Sequence, residues 1–321
     1  MAVPRMLAIG SATQDVFLIG GDMFTPKTEH GIAYERLPLG EKIEMQKVVF
    51  STGGNAMNAA TTFVRQGLHS QFMGILGTEP AGEAVLKVFD QEGIDTRYLN
   101  QADHYHTNYS TILLAPGGER TILTYHGSTL RADGSDINLA AIQHVDWLYV
   151  SSVASMTLLE RIFTIATKHG VKIAFNPSGR ELAEVDKLRP LLEDVSVLIA
   201  NKEEMQVMVE GRSIDELIHH AAHLVPTVII SDGPRGAVAT DGQKVVAAGM
   251  YKDVKVVDRL GAGDAFGSGF VAMVAQGKSL EEAVVFASAN STSVVQHHGA
   301  KEGILHKGAE LRDMPLKVKE L

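Results

Sequence analysis

Residues 256–277 read VVDRLGAGDAFGSGFVAMVAQG, a cluster of small residues opening a long apolar run. The glycines Gly261, Gly263 and Gly267 are spaced G-x-G-x-x-x-G and stand late in the chain. The dinucleotide fingerprint needs G-x-G-x-x-G after the first strand of a βαβ unit, so this is a different device. DVKVVD (253–258) predicts a strand, DAFGSGFVAMVAQG (264–277) a buried helix, and Gly261-Ala262-Gly263 the turn between them. Small residues let the backbone approach a ligand closely, and the first N–H groups of the helix point outward unpaired. Such a mouth holds anions at the positive end of the helix dipole. Asp264 inside it is placed to take a proton from a substrate hydroxyl, while the neighbouring N–H groups steady the charge on a transferring phosphoryl group. An aspartate at this position also serves as an ordinary helix cap. This stretch alone leaves both readings standing.

A second glycine stretch, STGGNAMNAATTFVRQG (51–67), ends an extended segment and opens a helix. Gly53 and Gly54 permit close backbone approach, and Asn55 and Asn58 are three apart, on one side of the first helical turn. Paired amides donate and accept, which suits a polyhydroxylated ligand; an N-cap beside a surface Asn explains them equally well.

For most of its length the chain alternates short β-rich apolar runs (5–10, 70–77, 146–152, 171–178, 195–201, 227–233) with helical patterns (55–67, 79–92, 156–169, 181–193, 213–224). That rhythm predicts a parallel sheet covered by helices on both faces. Two pieces break it. Residues 12–50 alternate apolar and polar positions without a helical pattern, and 107–127 read as two strands joined by the turn APGGER. We expect both to pair into a small separate sheet, a lid (12–50 and 107–127) over an α/β domain formed by 1–11, 51–106 and 128–321.

Composition sets outer bounds. The 321 residues suffice for a large core, and the net charge of −9 argues against nucleic-acid and membrane partners. There is no cysteine, hence no disulfide framework, thiolate metal site or cysteine nucleophile. The first residues carry only a five-residue apolar run, too short for a signal sequence, so a cytoplasmic location is expected.

The two glycine motifs, in this order, resemble the two signatures of the ribokinase (phosphofructokinase-B type, pfkB) carbohydrate kinase family, over nearly the whole chain. The resemblance implies a Rossmann-like three-layer α/β/α domain with a small β-sheet lid, and ATP-dependent transfer to a hydroxymethyl group of a small sugar. It implies Asp264 as the base, with Gly261, Ala262 and Gly263 at the anion hole, and Asp15, Gly53, Gly54, Asn55 and Asn58 on the acceptor. NKEE (201–204) resembles the motif in which Asn201 and Glu204 act on Mg²⁺ through water. SDGPRG (231–236), with Ser231, Gly233 and Gly236, and the segment 287–300, with Asn290, resemble the nucleotide-contacting loops. Some relatives hold a monovalent cation such as K⁺ near Asp258 and the turn here spelled HHGA (297–300). The sequence departs from the family at Arg259 and Leu260, where Thr is usual.

Three other functions compete with the sugar kinase. A nucleoside kinase on the same scaffold needs apolar lid residues such as Phe17, Ile32 or Met45 facing the site. A nicotinamide-dependent oxidoreductase needs an acid ending a strand about twenty residues on. Glu281 and Glu282 instead lie in SLEEA, where Ser279 and Glu282 read as a capping box. A ligand sensor without turnover has no need of Asp264. The exposed lid could pair with a second copy, so a homodimer is plausible.

Overall fold

The computed structural model describes residues 2–116, 119–251 and 253–321. The chain opens with β1 (Arg5–Gly10) and β2 (Thr13–Ile19), a small hairpin of β3 (Lys27–Glu29) and β4 (Ile32–Tyr34), and β5 (Lys47–Gly53). Helix α1 (Asn55–Arg65), β6 (His69–Leu76), α2 (Pro80–Glu92) and β7 (Asp95–Gln101) follow. Next are β8 (Asn108–Leu114) and β9 (Arg120–Tyr125), then β10 (Trp147–Ser151), α3 (Met156–Lys168) and β11 (Lys172–Asn176). Short helices α4 (Gly179–Leu182) and α5 (Val185–Leu191) lead to β12 (Val197–Asn201), α6 (Lys202–Met208), α7 (Ile214–Ala221) and β13 (Thr227–Ser231). The chain continues with β14 (Ala237–Thr240), β15 (Lys244–Ala248), α8 (Ala262–Ala275), α9 (Leu280–Val294) and β16 (Leu316–Glu320).

Ten strands form the main sheet, in the order β16-β15-β14-β13-β12-β11-β10-β1-β6-β7. From β13 to β7 neighbours run parallel, while β14, β15 and β16 add an antiparallel edge. Alternation along each strand splits the core in two. Leu148 and Val150 of β10 pack with α3, α5, α6 and α7, whereas Trp147 and Tyr149 pack with α1, α8 and α9. Both faces are therefore covered, giving the expected three-layer α/β/α arrangement.

The second sheet has the order β5-β2-β8-β9 and is built from the two pieces that break the βα rhythm. Its β5 runs to Gly53, so a boundary at residue 51 cuts this strand. The turn APGGER of the β8–β9 hairpin includes Gly117 and Gly118, which lie outside the described residues. Two other expectations need correction. Residues 253–258 are not a strand: the N–H groups of Val257 and Asp258 both go to Val295 O at the end of α9, and β14 already occupies the sheet beside β13. The helix expected over 181–193 is split, because Ser178 and Glu181 form a capping box that starts α4 early, and α5 begins afresh at Val185.

Candidate active site

In the register of the main sheet Gly10 lies opposite Ser151, Ser151 opposite Asn176, and Asn201 opposite Ser231. These residues end their strands, so they mark the carboxyl edge where open α/β sheets bind ligands. The lid covers part of this edge, and a cleft of about 530 Å³ lies between them.

One face of the lid sheet is a wall of that cleft. Asp15, Ser110 and Thr124 are successive partners across β2, β8 and β9, and Ile112 and Ile122 pair one step along. All five line the cleft, as do Asn108 and His126. The period of two sends their neighbours Gln14, Tyr109 and Leu123 to the opposite face. The opposite wall is the mouth of α8, whose N-cap Gly261 has φ 75°. A Cβ at Gly261 would sit 2.6 Å from Ala300 Cα, so both the turn and the packing demand glycine. No side-chain hydrogen bond caps this helix, and a Cβ at Gly263 would meet nothing within 4 Å. Open space thus lies before the first-turn N–H groups, as an anion hole requires.

Asp264 stands in that first turn and lines the cleft. Burial pushes its carboxyl up to about 6, against the pull of the Asn58 amide, whose Nδ2 donates to Oδ2 at 2.7 Å. The negative charge of Glu204 adds to the rise. Asn58 is only 2% exposed, so its side chain orients the aspartate and has little surface left for an acceptor. Asp15 is likewise raised, to about 7; burial dominates, and Ser110 and the charge of Lys301 oppose it. Two carboxyls raised by burial and facing one cleft are a common signature of a reactive site.

The glycines before α1 are there for contact. A Cβ at Gly53 would meet Asp15 Oδ2 at 2.4 Å, and Gly54 (φ 98°) passes so close to Ser11 that a Cβ would meet its carbonyl oxygen at 2.6 Å. Asn55 donates from Nδ2 to the hydroxyls of Ser151 and Ser152, each at 3.2 Å, and borders the cleft. Ser152 and Ala154 adopt positive φ (58° and 63°), a strained stretch beside the cleft.

The expected nucleotide and metal residues lie outside this cavity, along the adjoining strand ends. Asn201 and Glu204 cap α6 reciprocally: Asn201 Oδ1 accepts from Glu204 N at 2.8 Å, and Glu204 Oε2 from Asn201 N at 2.9 Å. Burial raises the Glu204 carboxyl, and its Oε1 has no hydrogen bond among the described residues. Ser231 ends β13, Gly233 sits exposed in the following turn, and Gly236 (φ 99°) accepts from Asp232 N at 2.8 Å. Asn290 differs from its expected role. It is fully buried, donating to Ala265 O at 2.7 Å and accepting from Leu305 N at 2.8 Å, so its amide ties α9 to α8. Asp258 is also committed to backbone, accepting from Leu260 N and Gly299 N. Sequence reasoning missed Ser110, Thr124, His126, Ser152 and Arg180 as residues lining the cleft. The alternation of 108–112 and 122–126 carried the signal for the lid residues.

A glycine-opened helix mouth, a carboxylate in its first turn and a second β-sheet facing both thus enclose one cleft on a three-layer α/β/α domain. Residues 23–307 match the description "pfkB family carbohydrate kinase", and the chain belongs to that family. It is accordingly a phosphotransferase with an alcohol group as acceptor. A ribokinase of Haemophilus influenzae is 26% identical over 276 residues, covering 83% of this chain and 88% of that one. The solved ribokinase of Arabidopsis thaliana, complexed with ribose and ATP, superposes with a TM-score of 0.76 at 21% identity over 95% of this chain and 96% of that one. An adenosine kinase from Sinorhizobium meliloti gives the same TM-score at 20% identity over 94% and 96%. Among the described residues no helix is long and apolar enough to cross a membrane.

Proposed function

We propose that the protein phosphorylates a hydroxymethyl group of a small sugar, with ATP as donor and Asp264 as general base. The observation that carries this reading is the Asn58–Asp264 hydrogen bond, which aims the aspartate into a cleft whose far wall holds Asp15. Asp15 and Asn55 pair the acceptor's hydroxyls, Asp264 takes the proton of the attacking one, and the first N–H groups of α8 stabilise charge on the transferred group. Lid and main sheet together keep water from the reacting oxygen. The polar wall of Asp15, Ser110, Thr124 and Asn55 favours a polyol over a base. A nucleoside acceptor would lean on Ile112, Ile122 and Leu260, since Ile32 and Met45 do not border the cleft and Phe17 is buried. Measuring ADP release across a panel of sugars and nucleosides decides between them. The best substrate should be a sugar, and with it Asp264→Asn should lower turnover roughly 10²–10⁴-fold. Turnover of nucleosides alone would reject the sugar reading; near-normal turnover by the variant would leave Asp264 as a helix cap.

Mg²⁺ completes this reading. Glu204 offers one free carboxylate oxygen, which fits an ion held through its water shell beside phosphates and not in a protein cage. Bound there, the ion would neutralise phosphate charge. Glu204→Gln should raise the Mg²⁺ concentration needed for half-maximal rate while leaving acceptor binding unchanged; an unaltered Mg²⁺ dependence would remove the assignment. A cytoplasmic location with its ATP supply and a homodimer formed through the lid belong to the same proposal.

A further inference from the structure

On the far side of the lid sheet lies a second cavity, of about 550 Å³, between β2, β5, β8 and one face of α2. Lys301 lines it while being only 3% exposed. The nearest carboxylate, Glu302 Oε1, is 3.7 Å from its ammonium, outside hydrogen-bond distance, and Glu302 is itself half exposed. The other charges acting on it are Glu92, Arg65 and Asp15. Glu92 is already taken, its two oxygens paired with Arg65 Nε and Nη2 at 2.9 and 2.5 Å. Asp15 lines the other cleft. Among the described residues the buried ammonium therefore has no hydrogen-bonded partner. The hydroxyl of Thr52, in the same wall, is also buried without one.

A buried ammonium held by one loose ion pair to a half-exposed carboxylate, with no hydrogen bond, is expensive, and proteins retain such violations chiefly where something binds. We propose that this cavity is a binding site for a small organic acid, with its carboxylate on the Lys301 ammonium and its apolar body along α2. Pro80, Ala84 and Val88 supply an apolar wall on successive turns of that helix, and Tyr109 faces it from β8. A single negative charge suits the site. The cavity's other charges, Lys87 and Glu302, are both exposed and of opposite sign, so Lys301 is the one buried charge left for a ligand to balance. The site shares no lining residue with the catalytic cleft, and its proposal does not rest on the kinase reading; the two are linked only through the charge of Lys301 on Asp15.

The test is calorimetric titration of the intact protein with butyrate, hexanoate, octanoate and inorganic phosphate. Saturable binding that tightens with chain length is expected, with phosphate weaker than octanoate. Lys301→Met should weaken octanoate at least about tenfold, the order of one lost charge-assisted pair. Ala84→Phe, which fills the cavity from a half-buried position of α2 and leaves the buried charge in place, should do the same and serves if Lys301→Met does not fold. Asp264→Asn should bind octanoate as the wild type does. No saturable binding of octanoate, equal binding by Ala84→Phe, tighter binding of phosphate, or loss of binding in Asp264→Asn would each overturn the proposal.

Discussion

At the scale of single residues, the proposed mechanism turns on what Asn58 does to Asp264. Its amide donates to the carboxylate and so favours the charged form that a base needs, while burial favours the neutral one. Activity should therefore rise with pH through about 6 as the aspartate ionises. Asp15 titrates nearby, so the limb belongs to the pair. Asn58→Ala should move it upward by about one to two pH units, since a hydrogen bond to a charge is worth roughly 1.5–3 kcal/mol. A pH–rate profile checks this, and an unmoved limb would mean the pair does not control the base. The same shift bears on stability with the opposite sense. Between about pH 4 and 6 the unfolded chain has released this proton and the folded one has kept it, so stability falls as pH rises through that window. Asp264→Asn should then melt higher than the wild type at pH 8 and no higher at pH 4. Asn58 also shows where reading a sequence stops. Its spacing from Asn55 was legible, but whether a helical amide faces a ligand or a residue 206 positions away is settled by packing.

The elements that matter most are α8 and the lid strands. Gly261 combines a left-handed backbone with contact against Ala300, so Gly261→Ala should cost stability by about 1–3 kcal/mol and lower turnover by shifting the helix mouth. Gly263→Ala has open space in front of it and should fold normally, failing only where a phosphate must enter. Thermal melts set beside turnover for the two variants would separate these effects; equal melting temperatures would contradict the packing. The βα rhythm of the main sheet was readable because buried parallel strands are short and continuously apolar. The antiparallel edge was not. β14 has only four residues, and β16 (LKVKE) is mostly exposed, so neither carries the apolar run that marks a buried strand. The strand expected at 253–258 failed for a related reason. Its residues look like a strand, but their N–H groups found Val295 O first.

At the scale of the whole molecule, the outer face of the lid is unusually apolar. Phe50 is 74% exposed, and Leu123 and Tyr125 are each 55% exposed, on strands that form the two edges of that sheet. Exposed apolar edges are liabilities unless covered, which supports a dimer through the lid. Sedimentation should find two copies, and Phe50→Lys should shift the population to one; a monomeric wild type would end the dimer reading. The sheet order carries one more consequence, for how the protein is made. Strand β1 lies between β6 and β10, and Arg5 meets Asp146 across 141 positions. This interior strand is made before either neighbour and must wait for nearly half the chain before its second one exists. Such long-range pairing is slow and leaves an apolar edge open to other nascent chains. Through that interval β1, with Met6, Leu7, Ala8 and Ile9 all destined for complete burial, stays exposed along one side.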